Sequence, residues 1–299
     1  MRILITGANG YIGSRLCQYL NNQGHEIIAV CKSKVPYTYG WSDKIKNIII
    51  GDLILEQTID KIVNVRPNIV IHLVSLDQED SKNSINNAID INVKITWKLL
   101  DRLSSLNVEK FINFSTIHAS KIFQDKLNLR DNYALTHYLS EKICNYFNAK
   151  TNINCINIRL ANSYGQPIFK NSKCWDLIIN DLVKMAYTKK SIILKSDGSS
   201  KRNFIHFKEI CSKIKNLLDN RLQINDQFIF MKSNNSYHII QVALLVKRIF
   251  NDRYNQFIPV FIKGNQLIKE EEFDQSYLND SRFLHLGIND LFTYMENNF

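Results

Sequence analysis

The sequence predicts an α/β fold, a doubly wound parallel sheet with helices on both faces and a smaller, mixed C-terminal lobe. Short apolar segments alternate with segments of helical periodicity as far as Leu160. This alternation is typical of parallel strands joined by crossover helices. A glycine-rich turn between the first strand and the first helix is the second indication. Because parallel strands end at one edge of the sheet, we expect ligands to bind there.

The first strand and the turn after it carry the strongest local signal. Ile3–Ile5 is an apolar run that indicates a buried strand, and Gly7, Gly10 and Gly13 follow at three-residue steps. Apolar residues at helical spacing come next. A glycine turn at such a junction lets backbone N–H groups approach an anion, and the helix N-terminus adds a partial positive charge. We expect a pyrophosphate there; the alternative is a tight turn without a ligand.

The second predicted strand, His25–Cys31, ends without the acidic residue that usually holds the adenosine ribose of NAD. Cys31 stands there, and Lys32 and Lys34 follow. Two cations suit a ribose 2′-phosphate, so we expect NADP as cofactor, with NAD as the second choice. The alternative is that both lysines are simply solvated.

The rest of the chain continues the alternation and then becomes less regular. Strands are expected at Asn47–Gly51, Ile69–Leu73, Lys110–Ser115 and Asn154–Leu160, and helices at Leu55–Val65, Ser84–Leu106, Asp131–Lys150, Cys174–Tyr187, Phe207–Leu218 and Tyr237–Phe250. A loop is expected at Asn162–Ser172. We expect a cofactor-binding domain at residues 1–165, to which residues 190–220 return, and a smaller substrate-binding lobe at residues 166–299.

Composition excludes several classes of protein. The formal net charge is +10, but the lysines are scattered, which disfavours nucleic-acid binding. No run of eighteen apolar residues predicts a membrane helix. The six cysteines form no C-x-x-C pair and accompany no histidine cluster, so we expect neither a metal site nor disulfides. A reducing compartment, the cytoplasm, is the expected location.

Six motifs together resemble one known family. In order they are Thr6–Gly13 (T-G-x-x-G-x-I-G), Gly51–Leu53 (G-D-[LI]), Val70–Leu73 (V-I-H-L), Asp90–Val93 with its N-V, Arg159–Gly165 (R-x-x-N-x-Y-G) and Arg202–His206 (R-D-[FY]-I-[HY]). The chain resembles the extended short-chain dehydrogenase/reductases, in particular NAD(P)-dependent nucleotide-sugar epimerases, dehydratases and ketoreductases. The resemblance implies a Rossmann-type fold and a nucleotide-sugar substrate.

The resemblance also implies which residues form the site. The implied cofactor-binding residues are Gly7, Asn9, Gly10, Tyr11, Ile12, Gly13, Cys31, Lys32, Asp52, Leu53, Leu73, Val74, Ser75, Asn92, Tyr133 and His137. Asn162 and Arg202 are the implied substrate-binding residues, and Arg202 is expected to hold the nucleotide diphosphate. Relatives commonly form dimers through the helices matching Ser84–Leu106 and Asp131–Lys150, so a homodimer is expected.

The family's Tyr and Lys, spaced Y-x-x-x-K on one helix face, have two possible counterparts here. Tyr138 and Lys142 match the spacing, whereas Tyr133 is followed by His137 at the lysine position. We favour Tyr133 and His137, because the small residue after the Tyr and the position of Glu141 then match the family. A five-residue shift would turn Tyr138 to another side of the helix.

A histidine at the lysine position weakens the expected catalysis. His137 can still hydrogen-bond a ribose hydroxyl, but a neutral imidazole lowers the pKa of Tyr133 less than an ammonium does. Thr116, at the Ser/Thr position, is expected to orient the reacting oxygen. His118 follows it at a position that hosts an acid or base in related epimerase-reductases, or it is an ordinary polar loop residue. We expect His72, inside a buried strand, to be a packed core histidine.

The predicted function is reduction of a 4-keto nucleotide sugar, with Tyr133 as proton donor. The alternatives are a nucleotide-sugar 4-epimerase with tightly held cofactor, and a cofactor-binding homologue that His137 has impaired. The sequence does not specify the base or the sugar.

Overall fold

The structure of the 299-residue chain is a computed structural model. It describes residues 1–38, 40–123, 131–221, 228–263, 266–268 and 282–299. The strands of this part are β1 (Arg2–Thr6), β2 (Glu26–Cys31), β3 (Asn47–Ile50), β4 (Ile69–His72), β5 (Lys110–Thr116), β6 (Asn154–Leu160), β7 (Asn162–Tyr164), β8 (Ile192–Ile193), β9 (Lys201–His206), β10 (Phe228–Met231), β11 (Ser236–His238), β12 (Val260–Ile262) and β13 (Gln266–Leu267).

The helices connect these strands. They are α1 (Tyr11–Asn22), α2 (Glu56–Asn64), α3 (Gln78–Asn83), α4 (Ile85–Ala88), α5 (Ile95–Leu103), α6 (Ser120–Phe123), α7 (Asn132–Lys150), α8 (Ile178–Lys189), α9 (Phe207–Leu218), α10 (Ile239–Tyr254) and α11 (Arg282–Asn298). A π-helical turn at Ile89–Lys94 joins α4 to α5, and short 3₁₀ turns occur at Ile117–Ala119 and Lys173–Asp176.

The chain divides into two compact units. Unit 1 comprises residues 1–160 and 211–231, and unit 2 comprises residues 161–210 and 232–299.

Unit 1 contains a seven-stranded sheet in the order β3-β2-β1-β4-β5-β6-β10. All of its strand pairs are parallel. The strand order reverses between β1 and β4, where doubly wound sheets bind their ligands. The predicted fold class, a Rossmann-type parallel sheet with a smaller mixed part, is confirmed.

One face of this sheet changes from apolar to polar along its strands. Leu4, Val70, Phe111 and Cys155 lie in register across four strands and belong to the buried core that α5 and α7 cover. Two residues further along, on the same face, the row is Thr6, His72, Asn113 and Asn157. The core of unit 1 therefore ends in polar side chains at the carboxyl edge of the sheet.

Unit 2 is smaller and mixed. Its sheets are β11-β9-β7 and β13-β12-β8, each with one parallel and one antiparallel pairing. The apolar faces of α8, α10 and α11 supply its core, including Val183, Phe250 and Phe292, each buried.

Three segments differ from the sequence prediction. The long helix expected at Ser84–Leu106 is interrupted by the π turn and ends at Leu103, before Ser105 and Leu106. The expected loop after Leu160 contains β7, and the helix expected from Tyr237 begins at Ile239, after β11. A three-residue strand, or a π turn with one extra residue, changes the spacing of apolar residues very little. Neither feature could therefore be predicted from the sequence pattern.

Candidate functional site

The glycine turn after β1 is tightly closed. Gly7 has a φ of +67°, a conformation that L side chains rarely adopt, and its carbonyl accepts a hydrogen bond from the Gly10 amide at 2.9 Å. A Cβ on Gly13 would stand 2.2 Å from the Gly7 oxygen. Gly10 caps α1 without a side-chain hydrogen bond, and the first turn of α1 has no acidic residue. Uncapped and without a negative charge, this helix end suits a pyrophosphate, so the residues fit a dinucleotide.

The end of β2 carries Cys31 and then Lys32, with no acidic residue at either position. The thiol of Cys31 is fully buried and accepts a hydrogen bond from the Asn9 backbone, so it faces the glycine turn. Burial raises the pKa of this thiol to about 11, which keeps it neutral. The Lys32 ammonium is exposed and lies 2.9 Å from the Asp52 carboxylate. Partial burial opposes ionisation of Asp52, but Lys32 and the Ile54 amide more than offset it and hold its pKa below the ordinary value.

Asn92 fixes the loop that follows β4. Its side-chain oxygen accepts a hydrogen bond from the Leu76 amide at 2.8 Å, and its Nδ2 donates to Thr136 Oγ1 of α7 at 2.9 Å. Asn92 is buried in the π turn. The loop passes close to the glycine turn, since Val74 Cγ2 lies 3.4 Å from where a Cβ on Gly7 would stand. Asn92 therefore contributes to the site indirectly, by fixing the Leu76 backbone and the Thr136 side chain.

The remaining predicted cofactor-binding residues lie along this edge of the sheet. Tyr11 and Ile12 open α1, Leu53 is buried after β3, and Leu73 and Ser75 follow β4.

Tyr133 and Thr116 meet at the end of β5. Their hydroxyls are hydrogen-bonded to each other, and Thr116 Oγ1 also accepts from the His118 amide at 3.2 Å. The rings of His118 and Tyr133 are 6.2 Å apart, edge to face. Burial raises the pKa of Tyr133 above its ordinary value, the Thr116 contact partly offsets this, and the carboxylates of Asp131 and Asp77 raise it further. The phenol is therefore firmly protonated at neutral pH.

His137 lies one helical turn from Tyr133, with the two ring centres 4.6 Å apart. Its side chain is buried, and its Nε2 has no hydrogen-bond partner in the described part of the chain. Burial lowers its pKa to about 4; the His118 ring adds to this and Asp131 opposes it. Unlike a lysine at this position, His137 carries no charge at neutral pH.

A second imidazole, which the sequence analysis assigned to the core, stands nearby. His72 is buried at the end of β4, with Nδ1 2.8 Å from Thr6 Oγ1 and its ring 5.7 Å from Phe111. Its Nε2 is buried and has no partner among the described residues. Burial, with a smaller contribution from His137, lowers the pKa of His72 to about 3. The signal in the sequence was a histidine at the carboxyl end of a strand beside the crevice.

The competing pair lies on a different side of α7. Tyr138 is half-buried and Lys142 is exposed, and the Lys142 ammonium lies over the Tyr138 ring, 5.0 Å from its centre. The helix buries Ala134, Thr136, His137, Ser140 and Glu141 instead. His137 is therefore on the buried side of α7, whereas Lys142 is on the exposed side.

A buried polar seam joins α7 to β5 and β6. Arg159 and Glu141 form an ion pair at 2.7 Å with side chains 3% and 4% exposed, and Ser115 Oγ donates to Glu141 at 2.6 Å. Asn113 Nδ2 donates to Ser140 at 3.2 Å and to the Asn157 side chain at 3.0 Å.

The seam holds α7 with specific contacts, and only Glu141 and Arg159 entered the sequence analysis. The missed strand residues are polar at every second position of otherwise apolar strands, which is the signal that could have identified them.

The predicted substrate residues both belong to unit 2. Asn162 begins β7, and its Nδ2 donates to the Asn203 carbonyl of the neighbouring strand β9 at 2.9 Å. Arg202 is an exposed residue of β9 beside Asn203. The two residues therefore lie on adjacent strands of one small sheet.

Other kinds of site are absent from the described residues. They contain no group of three or more His, Cys, Asp or Glu placed to hold a metal ion. None of their helices is both long and apolar enough to cross a membrane. A groove of about 530 Å³ lies beside Arg2, Glu26 and Val65, where β1 and β2 begin, away from the glycine turn at the other end of β1.

Comparisons with known proteins agree with this geometry. The sequence model of the NAD dependent epimerase/dehydratase family matches residues 3–229. CDP-abequose synthase of Salmonella typhimurium is 26% identical over 228 residues, covering 74% of this chain and 71% of the relative. UDP-glucose 4-epimerase of Thermotoga maritima, solved with UDP-glucose, superposes with a TM-score of 0.78 at 18% identity over 99% of each chain. UDP-glucuronic acid 4-epimerase of Bacillus cereus, solved with UDP-glucuronic acid and NAD, gives 0.75 at 18% identity over 100% of each chain.

The family match spans well over half of the chain, and the superpositions cover nearly all of it. The resemblance inferred from the motifs is thus confirmed: the chain belongs to the NAD dependent epimerase/dehydratase family.

Proposed function

We propose that this protein is an NAD(P)-dependent nucleotide-sugar oxidoreductase that reduces a 4-keto sugar nucleotide. The observation that carries the proposal is the Tyr133 phenol, hydrogen-bonded to Thr116 and kept protonated by burial and two carboxylates. Because it is protonated at neutral pH, this phenol has a proton to donate and cannot accept one. Reduction of a ketone needs a donor, whereas oxidation of an alcohol, the first step of 4-epimerisation, needs a base.

The roles in the reaction follow from the contacts. When bound, the nicotinamide supplies hydride to the carbonyl carbon. Tyr133 donates its proton to the carbonyl oxygen, and Thr116 holds that oxygen through the hydroxyl that now contacts Tyr133. His118 lies beside the phenol and is a candidate acid or base for a neighbouring carbon.

NADP is the proposed cofactor, with Lys32 facing the ribose 2′-phosphate. Cys31 offers no carboxylate to a ribose hydroxyl, and Lys32 is exposed at the end of β2. Lys32→Ala should weaken binding of NADPH about tenfold and leave NADH unchanged, since an exposed charge–phosphate contact contributes on the order of 1 kcal/mol. Lys61→Ala, an exposed lysine on α2, is the matched control. Equal weakening for NADPH and NADH would contradict this assignment.

We also propose a role for each of the two units, and we propose that the protein is a homodimer. Unit 1 would bind the cofactor and unit 2 the sugar nucleotide, with Arg202 on its diphosphate. A homodimer is supported by the exposed aromatic pair Trp97 and Tyr146 on α5 and α7, stacked at 5.3 Å. Light scattering of the wild type and of Trp97→Glu should report a dimer and a monomer.

A reducing location such as the cytoplasm is supported by the cysteines. All six lie within the described residues and are buried thiols.

The decisive experiment measures NADPH consumption with a panel of CDP-, GDP- and UDP-linked 4-keto sugars. The wild type should consume NADPH with at least one of them, and Tyr133→Phe should lose about 10²-fold or more while keeping cofactor affinity. Tyr138→Phe, the tyrosine of the other register, should retain activity. Conversion of a nucleotide sugar to its epimer without net NADPH consumption would refute the reductase in favour of the 4-epimerase.

A second candidate is a cofactor-binding protein without turnover. The uncharged His137 favours it, because none of the described cations lowers the pKa of Tyr133. Tight NADPH binding with no consumption for any ketone in the panel would identify this case.

A further inference from the structure

In the described part of the chain, the residues expected at the nicotinamide end of the site include two imidazoles and no ammonium. Doubly wound sheets bind a dinucleotide across the crevice where strand order reverses, here between β1 and β4. With the adenosine half beyond β2, the other half lies beyond β4 and β5. These strands end at His72 and Thr116, and α7 places His137 beside Tyr133 there.

Both imidazoles are held uncharged. Each is at least 97% buried and has an Nε2 atom without a hydrogen-bond partner in the described chain. Burial is the main cause that lowers the pKa of His137 to about 4 and that of His72 to about 3, and the His137 ring also opposes protonation of His72. The ionisable groups that act on His137 are His118 and Asp131, together with Tyr133 in ring contact, and the group that acts on His72 is His137.

The full charges that act here, among the residues the structure describes, are negative or neutralised. Asp131 and Asp77 are the charged groups that raise the pKa of Tyr133. The Arg159 guanidinium of the seam is paired with Glu141 at 2.7 Å. Lys142 lies over Tyr138 on another side of the helix. Among the described residues, a positive charge placed at this end of the site therefore meets no unpaired cation.

We propose that the uncharged His72–His137 pair makes this site bind the oxidised cofactor at least as tightly as the reduced one, so that bound NADPH is a stronger hydride donor than it would be beside a lysine. The inference rests on the proposed function. The oxidised nicotinamide ring carries a positive charge that the reduced ring lacks. An ammonium at residue 137 would repel only the oxidised form. Between two partly buried charges, this repulsion weakens the affinity for the oxidised form about tenfold or more.

The consequence for the reaction is a bias toward reduction. One hydride passes to the carbonyl carbon and one proton from Tyr133 to its oxygen, which leaves a secondary alcohol, oxidised nicotinamide and a phenolate that regains a proton from water. By the thermodynamic cycle, tighter binding of the oxidised form lowers the potential of the bound couple. A tenfold change in the affinity ratio corresponds to about 30 mV for two electrons.

The test is the ratio of dissociation constants for NADP⁺ and NADPH, measured by calorimetry. Contacts to the pyrophosphate and adenosine are common to both forms and cancel in this ratio. The wild type should give a ratio of about 1 or less. His137→Lys should raise it about tenfold or more, whereas the neutral control His137→Gln should leave it within about threefold.

Each outcome is decisive. A wild-type protein that binds NADPH more tightly than NADP⁺ overturns the inference, and this measurement needs no variant, so it holds even where His137→Lys does not fold. An unchanged ratio in folded His137→Lys overturns it too. If the wild type binds neither NADP⁺ nor NADPH, the proposed function is contradicted instead. That result is distinct from a ratio above 1, which requires that both forms bind.

Discussion

Mild acid should destabilise unit 1 through its two buried imidazoles. In an unfolded chain both His72 and His137 titrate near 6.5, whereas burial places their folded pKa values at about 3 and about 4. Between these values the unfolded chain binds more protons than the folded protein. The stability contributed by the neutral rings is thus fully present above about pH 6.5 and declines as the pH falls toward the folded values.

The magnitude follows from the linkage relation. Between pH 7 and pH 5, a histidine shifted from 6.5 to about 4 costs about 2 kcal/mol of unfolding free energy, and one shifted to about 3 costs about the same. The two together remove about 4 kcal/mol, a large share of the 5–15 kcal/mol that typically stabilises a domain. Carboxylates with lowered pKa values, such as Asp52, lose their contribution only at lower pH.

The assay is urea unfolding at pH 7 and pH 5 of the wild type and of a His72→Asn, His137→Gln double variant, which cannot gain these protons. The wild type should lose about 4 kcal/mol more than the double variant over this interval. His285→Gln, an exposed histidine of α11, is the matched control and should behave as the wild type. An equal loss in the wild type and the double variant would refute the reasoning.

Three further predictions concern the seam, the turn and the reaction. Glu141→Gln should cost about 3–5 kcal/mol of unfolding free energy in denaturant titrations, because it leaves the buried Arg159 guanidinium without its counter-charge; a loss below about 1 kcal/mol would contradict a buried pair. Gly13→Ala should weaken dinucleotide binding about 10²-fold or prevent folding, since its Cβ would overlap the Gly7 carbonyl; wild-type affinity by calorimetry would show that the turn can open. The rate of NADPH consumption should show no ionisation of Tyr133 below about pH 10, since its pKa is raised above the ordinary value; a stopped-flow pH profile with a lower inflection that disappears in Tyr133→Phe would be inconsistent with that environment.

The sequence was sufficient for the fold because its signals are local and repeated. The apolar run Ile3–Ile5, the glycine steps and the alternation of periods each describe neighbouring residues. Contacts between residues far apart in sequence could be identified only from the structure. That His137 acts on His72, or that Asn92 contacts Thr136, depends on strand order and helix placement that no periodicity encodes.

The motifs predicted which residues form the candidate site, but not whether their side chains are charged. His137 at the lysine position was visible, and its uncharged form at neutral pH was left open because burial sets it. The two-residue period of a buried strand does not distinguish a satisfied polar side chain from an apolar one. For that reason the sequence did not assign Asn113 or Ser115 to the underside of α7.

The buried polar seam beneath α7 determines how long a segment must be transferred when α7 is grafted into another protein. A chimera receiving this helix alone would bring Glu141 and Ser140 without the Arg159 and Asn113 that complement them. The donor segment must therefore run from β5 through β6, residues 110–160, so that both halves of the network travel together. Grafts with narrower boundaries should yield insoluble or misassembled hosts, whatever their agreement in hydrophobic pattern.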